Sequence, residues 1–174
     1  MPRRLLLALL ALLLAVDAWG LQITGRVVGV TDGDTITVID DQRTQHKIRL
    51  AGIDAPEKAQ AFGQRSKEYL SSLVFGRQVV VNTEKQDRYK RTVGKVIVDG
   101  RDANLAMVVA GMAWHYKKYE GEQSPSDRLL YADAERGARE TRRGLWQDAA
   151  PTAPWNYRSL AKQFVRTLPA ADKE

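Results

Sequence analysis

The chain has 174 residues, a formal net charge of +6, no cysteine and two histidines, His46 and His115. That length suits one domain. The absence of cysteine excludes disulfides, thiolate zinc sites and thiol catalysis, and two histidines leave little room for His-rich metal sites or His-based triads. A basic chain of this kind suits a polyanionic partner such as nucleic acid.

The first twenty residues read "MPRRLLLALLALLLAVDAWG": two arginines, then unbroken apolar sequence from Leu5 to Val16, then small residues. This is the layout of a secretory signal peptide, expected to be cut after Ala18 or Gly20. The apolar run falls short of the ~20 residues needed to span a bilayer. The expected destination is therefore periplasmic or secreted, with no stable membrane association after cleavage. Losing Arg3, Arg4 and Asp17 lowers the charge of +6 to +5. Residues 21–147 are read as the folded domain and 148–174 as a tail.

"LQITGRVVGVTDGDTITVID" alternates as two strands joined through "TDGD", with Ile36 and Val38 on one face. "TQHKIRLAGI" is a third strand, Ile48 and Leu50 on one side and Lys47 and Arg49 on the other. In "QRSKEYLSSLVFG" Leu70, Leu73 and Val74 recur with helical spacing, and Gly76 closes the helix. "QVVVNTEKQD" and "RTVGKVIVDG" are two more strands. Asp102 caps a short buried helix, "ANLAMVVAGM", and "SPSD" opens a third helix with Ser124 as N-cap, Pro125 at the first turn and Asp127 closing a capping box. That helix is expected to run to "TRRGLW" with Gly144 as its stop, and "SLAKQFVRTL" in the tail has the pattern of one more short helix. Three strands, a helix and two strands follow the element order of the OB-fold, a small barrel that commonly binds oligonucleotides. The expected class is α+β, mainly β: a five-stranded OB-fold barrel with three helices.

Three stretches carry chemistry. "DGDT" reads as a hairpin turn, yet Asp34 shares the strand parity of Ile36 and Val38 and so points inward. Asp54 continues the inward parity of Ile48 and Leu50 in "IDAPE", where Pro56 keeps Asp54 and Glu57 on a loop. Two inward carboxylates are costly unless a cation compensates them. Carboxylates with a backbone carbonyl and water are hard oxygen ligands, suited to one calcium or magnesium ion, and Glu57 is left free to direct a water. "DRYKR" reads as a solvated turn, but Arg49 and Arg91 together supply guanidinium groups that match phosphate. Phosphoryl transfer depends mostly on positioning and charge neutralisation, and this is a minimal set for it.

In order along the chain, "DGDT", "IRLAGIDAPE", "DRYKR", "GMAW" and "RRGLW" resemble the staphylococcal nuclease family from about Gln22 to Trp146. The resemblance implies a calcium-dependent phosphodiesterase acting on single-stranded or locally melted DNA and RNA, leaving 3′-phosphates. It also implies Asp34, Asp54 and the Ala55 carbonyl as calcium ligands, Glu57 as the carboxylate behind the attacking water, and Arg49 and Arg91 on the phosphate. Magnesium fits this pattern less well. The sequence departs at Ala55, where threonine is common, and at Lys90, where glycine is frequent. Lysine disfavours a left-handed backbone, so the turn is expected to keep φ negative and point Lys90 outward beside the groove. In "AWHYKKY", Trp114, Tyr116 and Tyr119 offer stacking faces and Lys117 and Lys118 meet phosphates, against the alternative that Trp114 is core. "PWNYR" in the tail is read as packing. A monomer is expected. The rival reading is a non-catalytic OB-fold module binding nucleic acid or protein, which has no need of inward carboxylates that repel its ligand.

Overall fold

The computed structural model describes residues 21–167, so the segment expected to be a signal peptide lies outside the described residues. Strand β1 (Leu21–Asp32) is long and pairs twice: its first half with β5 (Gln78–Gln86), its second half with β2 (Thr35–Ile39). Register shifts after Val27 and Val30 mark the irregularities that let one strand serve both neighbours. β2 continues to β3 (Gln45–Leu50), and β5 to β6 (Thr92–Val98). Closure comes from a parallel pairing of β3 with β6, Ile48 to Thr92 and Leu50 to Gly94. The result is a closed five-stranded mixed barrel, the OB-fold expected from the element order. The parity read from the sequence holds: Ile36, Val38, Ile48, Leu50, Val79, Val81 and Val96 fill the interior.

Helix α1 (Gly63–Val74) lays Ser66, Leu70 and Val74 against the core, and α2 (Ala103–Val109) adds Met107 and Val108. Asp102 caps α2 as expected, accepting from the Leu105 amide at 2.9 Å. Buried Asn104 holds α2 to the end of the barrel. Its Oδ1 accepts from Val96 N at 3.0 Å, and its Nδ2 donates to the carbonyls of Ala51 at 2.9 Å and Gly94 at 3.1 Å. This fixes the corner where β3 ends, and with it the start of β4 (Ile53–Asp54), which pairs with β8 (Trp114–His115). A third two-residue strand, β7 (Arg101–Asp102), extends β6.

Helix α3 (Pro125–Glu140) begins as read, with Ser124 accepting from the Asp127 amide at 3.1 Å. Only half of the capping box is used, because the Asp127 carboxylate turns to Lys95 at 2.6 Å. The expected stop at Gly144 is corrected. The helix ends at Glu140, where Arg142 takes the left-handed conformation at φ 49 and Arg143 N returns to the Ala138 carbonyl at 2.9 Å.

Gly144 answers a different need. It and Gly111 face each other across the ends of α3 and α2, and Leu145 N donates to the Gly111 carbonyl at 2.8 Å. Both have positive φ, and a Cβ on either would stand 2.2 Å from a carbonyl oxygen of the opposing segment. This contact explains why "GMAW" and "RRGLW" occur together. It also sets the second apolar cluster, Trp114, Ala138, Leu145, Trp146 and Ala153.

A fourth helix, α4 (Pro154–Thr167), starts earlier than the tail pattern suggested. Ala153 and Pro154 are buried, while residues 159–164 are exposed. Among the described residues no helix is long and apolar enough to cross a membrane.

Gly111→Ala is expected to cost about 2 kcal/mol or more, from a left-handed alanine and a Cβ–carbonyl overlap. Denaturant midpoints of the variant and the parent measure it.

Candidate active site at one end of the barrel

The barrel register gathers the carboxylates. Asp34 ends the β1–β2 turn, and its carbonyl accepts from Leu50 N at 2.8 Å, which ties the turn to the end of β3. Gly33 is required there because a Cβ would stand 1.8 Å from Ser66 Oγ and 2.7 Å from Ala55 Cβ. Asp34 is 6% exposed and Asp54 1%. Ala55 N donates to Asp34 Oδ2 at 2.8 Å, so the loop after β4 is fastened to the turn.

Arg49 Nη2 lies 3.1 Å from Asp34 Oδ2 and 2.9 Å from Asp54 Oδ1, bridging the two carboxylates, and its Nη1 donates to the Leu50 carbonyl at 2.9 Å. Arg91 sits one residue away from this bridge. Its Nη1 lies 3.3 Å from Thr35 Oγ1, and that hydroxyl lies 3.1 Å from Asp34 Oδ1. A bond from Nε and an ion pair from Nη2 hold the guanidinium on Asp87 Oδ2, each at 2.7 Å.

The structure adds a residue that the sequence reading left in the packing tail. Arg158, on α4, donates from Nη2 to Asp54 Oδ2 at 2.7 Å and from Nη1 to Asp54 Oδ1 at 3.2 Å and Glu57 Oε1 at 2.7 Å. Glu57, expected to be free, is therefore engaged. Nothing local in the sequence marks Arg158, since it reaches the site across 104 residues of chain.

Electrostatics follow from burial. Desolvation raises the pKa of Asp54, the guanidinium groups of Arg158 and Arg49 pull it back only in part, and the Asp34 charge raises it further. Burial alone would lower the pKa of Arg158, but its bonds to Asp54 and Glu57 outweigh this and raise it. Asp32 accepts from Asp34 N at 3.1 Å, and burial followed by the Asp34 charge pushes its carboxyl up to about 6.

The donor set suits a hard cation. Asp34 and Asp54 present oxygen only, and no histidine approaches: His46 pairs with Asp40 and buried His115 with Gln123. No group of three or more His, Asp or Glu gathers around a common point among the described residues. Two carboxylates completed by a backbone carbonyl and water is the arrangement these residues allow, and it fits calcium or magnesium rather than zinc.

Residues 47–148 match the staphylococcal nuclease homologue family. The chain belongs to the staphylococcal nuclease family. It is 39% identical over 168 residues to a micrococcal nuclease of Shigella flexneri, covering 91% of this chain and 93% of that one. To an uncharacterized endonuclease of Haemophilus influenzae it is 42% identical over 139 residues, covering 80% and 75%. To an uncharacterized endonuclease of Escherichia coli it is 45% identical over 137 residues, covering 78% and 85%. Membership supports a nuclease, a hydrolase acting on nucleic acid.

Within this nuclease-family frame, the residues read as a nucleotide groove separate. Trp114 is 9% exposed, and its ring meets Trp146 at 4.4 Å, Trp155 at 5.4 Å and the Arg139 guanidinium at 4.9 Å. It is core, because the Gly111–Gly144 contact draws both chain segments over it. Tyr116 is half-buried and stacks on Trp155 at 5.4 Å. Lys117 is also exposed but pairs with buried Glu135 at 2.8 Å, whereas the Lys118 ammonium lies 5.7 Å from the Tyr119 ring centre.

Lys90 corrects an expectation. Its φ is +61, left-handed rather than negative. Asp87 forces this: its Oδ1 accepts from Tyr89 N at 2.8 Å and Arg91 N at 3.0 Å, while its N donates to the Arg91 carbonyl and its carbonyl accepts from Lys90 N. These bonds together outweigh the ~1–2 kcal/mol cost of a left-handed non-glycine residue. Burial tends to raise the Asp87 pKa, but the bonds from Arg91 and Tyr89 prevail and hold it below the usual carboxylate range. The turn therefore still delivers Arg91 toward Thr35. Lys90→Gly is expected to raise stability by roughly 0.5–1 kcal/mol, the left-handed relief exceeding glycine's entropy cost. Equilibrium denaturation against Lys90→Ala, which keeps the strain, checks it.

Asp32 gives a pH signature. Native Asp32 holds its proton more tightly than the unfolded chain, so its stabilising contribution is full below 3.8 and lost as pH rises through about 6. Asp32→Asn escapes this loss while keeping an oxygen for Asp34 N. In chelator at pH 7.5 its melting temperature is expected to exceed the parent's by roughly 3–8 °C, and the two should converge near pH 4.

Proposed function

We propose that the protein is a calcium-dependent nuclease, exported to the periplasm or beyond the cell, that hydrolyses phosphodiester bonds of DNA and RNA and leaves 3′-phosphates. The observation that carries this reading is the bridge of Arg49 between two buried carboxylates, with Arg91 a single hydroxyl away. A binding module has no use for buried anions beside a polyanion. A hydrolase needs them to hold a cation where phosphate charge must be neutralised.

In this reading Asp34, Asp54 and the Ala55 carbonyl hold calcium, which when bound supplies charge neutralisation at the phosphate and orders water. Arg49 and Arg91 meet the phosphate oxygens, with guanidinium geometry that matches them bidentately. Negative charge grows on those oxygens as the new P–O bond forms, and fixed cations in a partly dry site stabilise it without reorganising. Glu57 accepts the proton of the attacking water. The P–O5′ bond breaks, and the departing 5′ oxygen takes a proton from solvent to leave as a 5′-hydroxyl while the phosphate stays on the 3′ side. Tyr116, Lys118 and Lys90 border the path of the strand. Substrates are single-stranded or locally melted, so that a backbone phosphate can reach the carboxylate end, and the working unit is a monomer.

Chelation is expected to abolish cleavage of single-stranded DNA and RNA, with restoration by calcium. Cleavage undiminished in excess chelator would remove the metal from the reading, and calcium-enhanced binding without cleavage would favour the binding module. Arg91→Ala and Glu57→Gln should each lose roughly a hundredfold or more in turnover, near 3 kcal/mol, with little change in nucleotide affinity. Single-turnover kinetics beside equilibrium binding of a short oligonucleotide separates the two effects.

A further inference from the structure

Arg158 occupies one of the two carboxylates that the proposed cation requires, Asp54, together with Glu57. Asp54 Oδ2 accepts from Arg158 Nη2 at 2.7 Å, and Asp54 Oδ1 is shared between Arg158 Nη1 at 3.2 Å and Arg49 Nη2 at 2.9 Å. The remaining reach of Nη1 goes to Glu57, at 2.7 Å. Both oxygens of Asp54 thus face guanidinium groups, and the fork lies across the pair that a cation and its directed water would use. A calcium ion contacts a carboxylate oxygen at ~2.3–2.6 Å. At that range it would meet the Arg158 charge almost at contact, inside a site that already holds Arg49.

The attachment of α4 is suited to yielding. Its first turn is sheltered, with Ala153 and Pro154 buried and Trp155 stacked on Tyr116 at 5.4 Å, whereas residues 159–164 are exposed. Arg158 itself is 38% exposed, whereas Asp54 is 1% exposed. A buried anion is therefore matched by a cation on a surface helix, joined to the barrel by a short connection from 148 to 153. Such a tether gives the guanidinium an effective concentration on the order of millimolar at Asp54, so that it competes with a free cation for the same oxygens.

We propose that Arg158 is a tethered competitor of the divalent cation, so that guanidinium and metal take Asp54 in turn and the C-terminal helix sets the calcium concentration at which the site loads. This rests on the cation reading of Asp34 and Asp54 given above. In the metal-free protein Arg158 neutralises Asp54 and holds Glu57. When the cation enters, Arg158 leaves Asp54 and the first turn of α4 loosens from Tyr116. A purely structural Arg158 would instead stabilise the same geometry that the cation needs, and its removal would weaken binding.

Calorimetric titration of the full chain with calcium, in the absence of nucleic acid, tests this. Arg158→Gln is expected to bind calcium at least tenfold more tightly than the parent. Trp155→Ala loosens the same turn without touching a carboxylate and should shift affinity in the same direction by a smaller factor. Hydrogen exchange at residues 154–160 of the parent should accelerate on adding calcium. Equal or weaker calcium binding by Arg158→Gln, with the parent binding normally, overturns this inference and leaves the cation reading intact. Calcium that binds the parent but leaves exchange in the first turn of α4 unchanged overturns it in the same way. No calcium binding by the parent or either variant overturns both.

Discussion

Asp34 and Asp54 lie almost wholly out of water, and an uncompensated carboxylate in that position would cost several kcal/mol. Arg49 offsets much of this by touching both at once, at 3.1 and 2.9 Å. The compensation is incomplete, since burial still holds Asp54 above its ordinary pKa and pushes Asp32 up to about 6. The acidic end of the barrel thus retains an unmet demand for positive charge. A helix from the far end of the chain meets part of that demand, through the Arg158 guanidinium on Asp54.

The barrel exists, for this purpose, as a device for holding like charges together. Closure of β3 on β6 sets Arg49 opposite Val93 and places the turn before β6 beside the turn before β2. Backbone bonds then fix each carrier independently: Leu50 N to the Asp34 carbonyl, Ala55 N to the Asp34 carboxylate, and Asn104 to the corner at Ala51. The interior supplies the stability that the charged end consumes. Ile36, Ile48, Leu50 and Leu70 are each 0 or 1% exposed, and burying such side chains contributes about 1.5–3 kcal/mol apiece. Local strain is tolerated on the same terms. Lys90 stays left-handed because the Asp87 bonds that bend the turn are the ones that aim Arg91.

The second cluster has a positional role. Gly111 and Gly144 let α2 and α3 end against each other, and the space they close is filled by Trp114, Trp146 and Arg139, whose guanidinium lies 3.9 Å from the Trp146 ring centre. Ala153 belongs to the same cluster, so the tail is seated on the barrel where α4 begins. The direction in which α4 leaves that seat carries Arg158 to Asp54. Packing among tryptophans therefore decides which side chain meets the carboxylates.

The barrel, its order of elements along the chain, the inward parity of Asp34 and Asp54 and the family resemblance were legible in the sequence by itself. Each depends on periodicity or short-range spacing: alternation puts Ile36, Val38, Ile48 and Leu50 on one face, and Asp34 and Asp54 continue it. Tertiary structure alone decided the rest. The left-handed Lys90 went against its local preference because four bonds to Asp87 outweigh one backbone propensity. Trp114 became core, and Lys117 turned to Glu135, because the glycine contact and α3 reach them from remote parts of the chain. Arg158 lies 104 residues from Asp54, and no local pattern encodes a contact whose geometry is set by where two helices and a tryptophan cluster end.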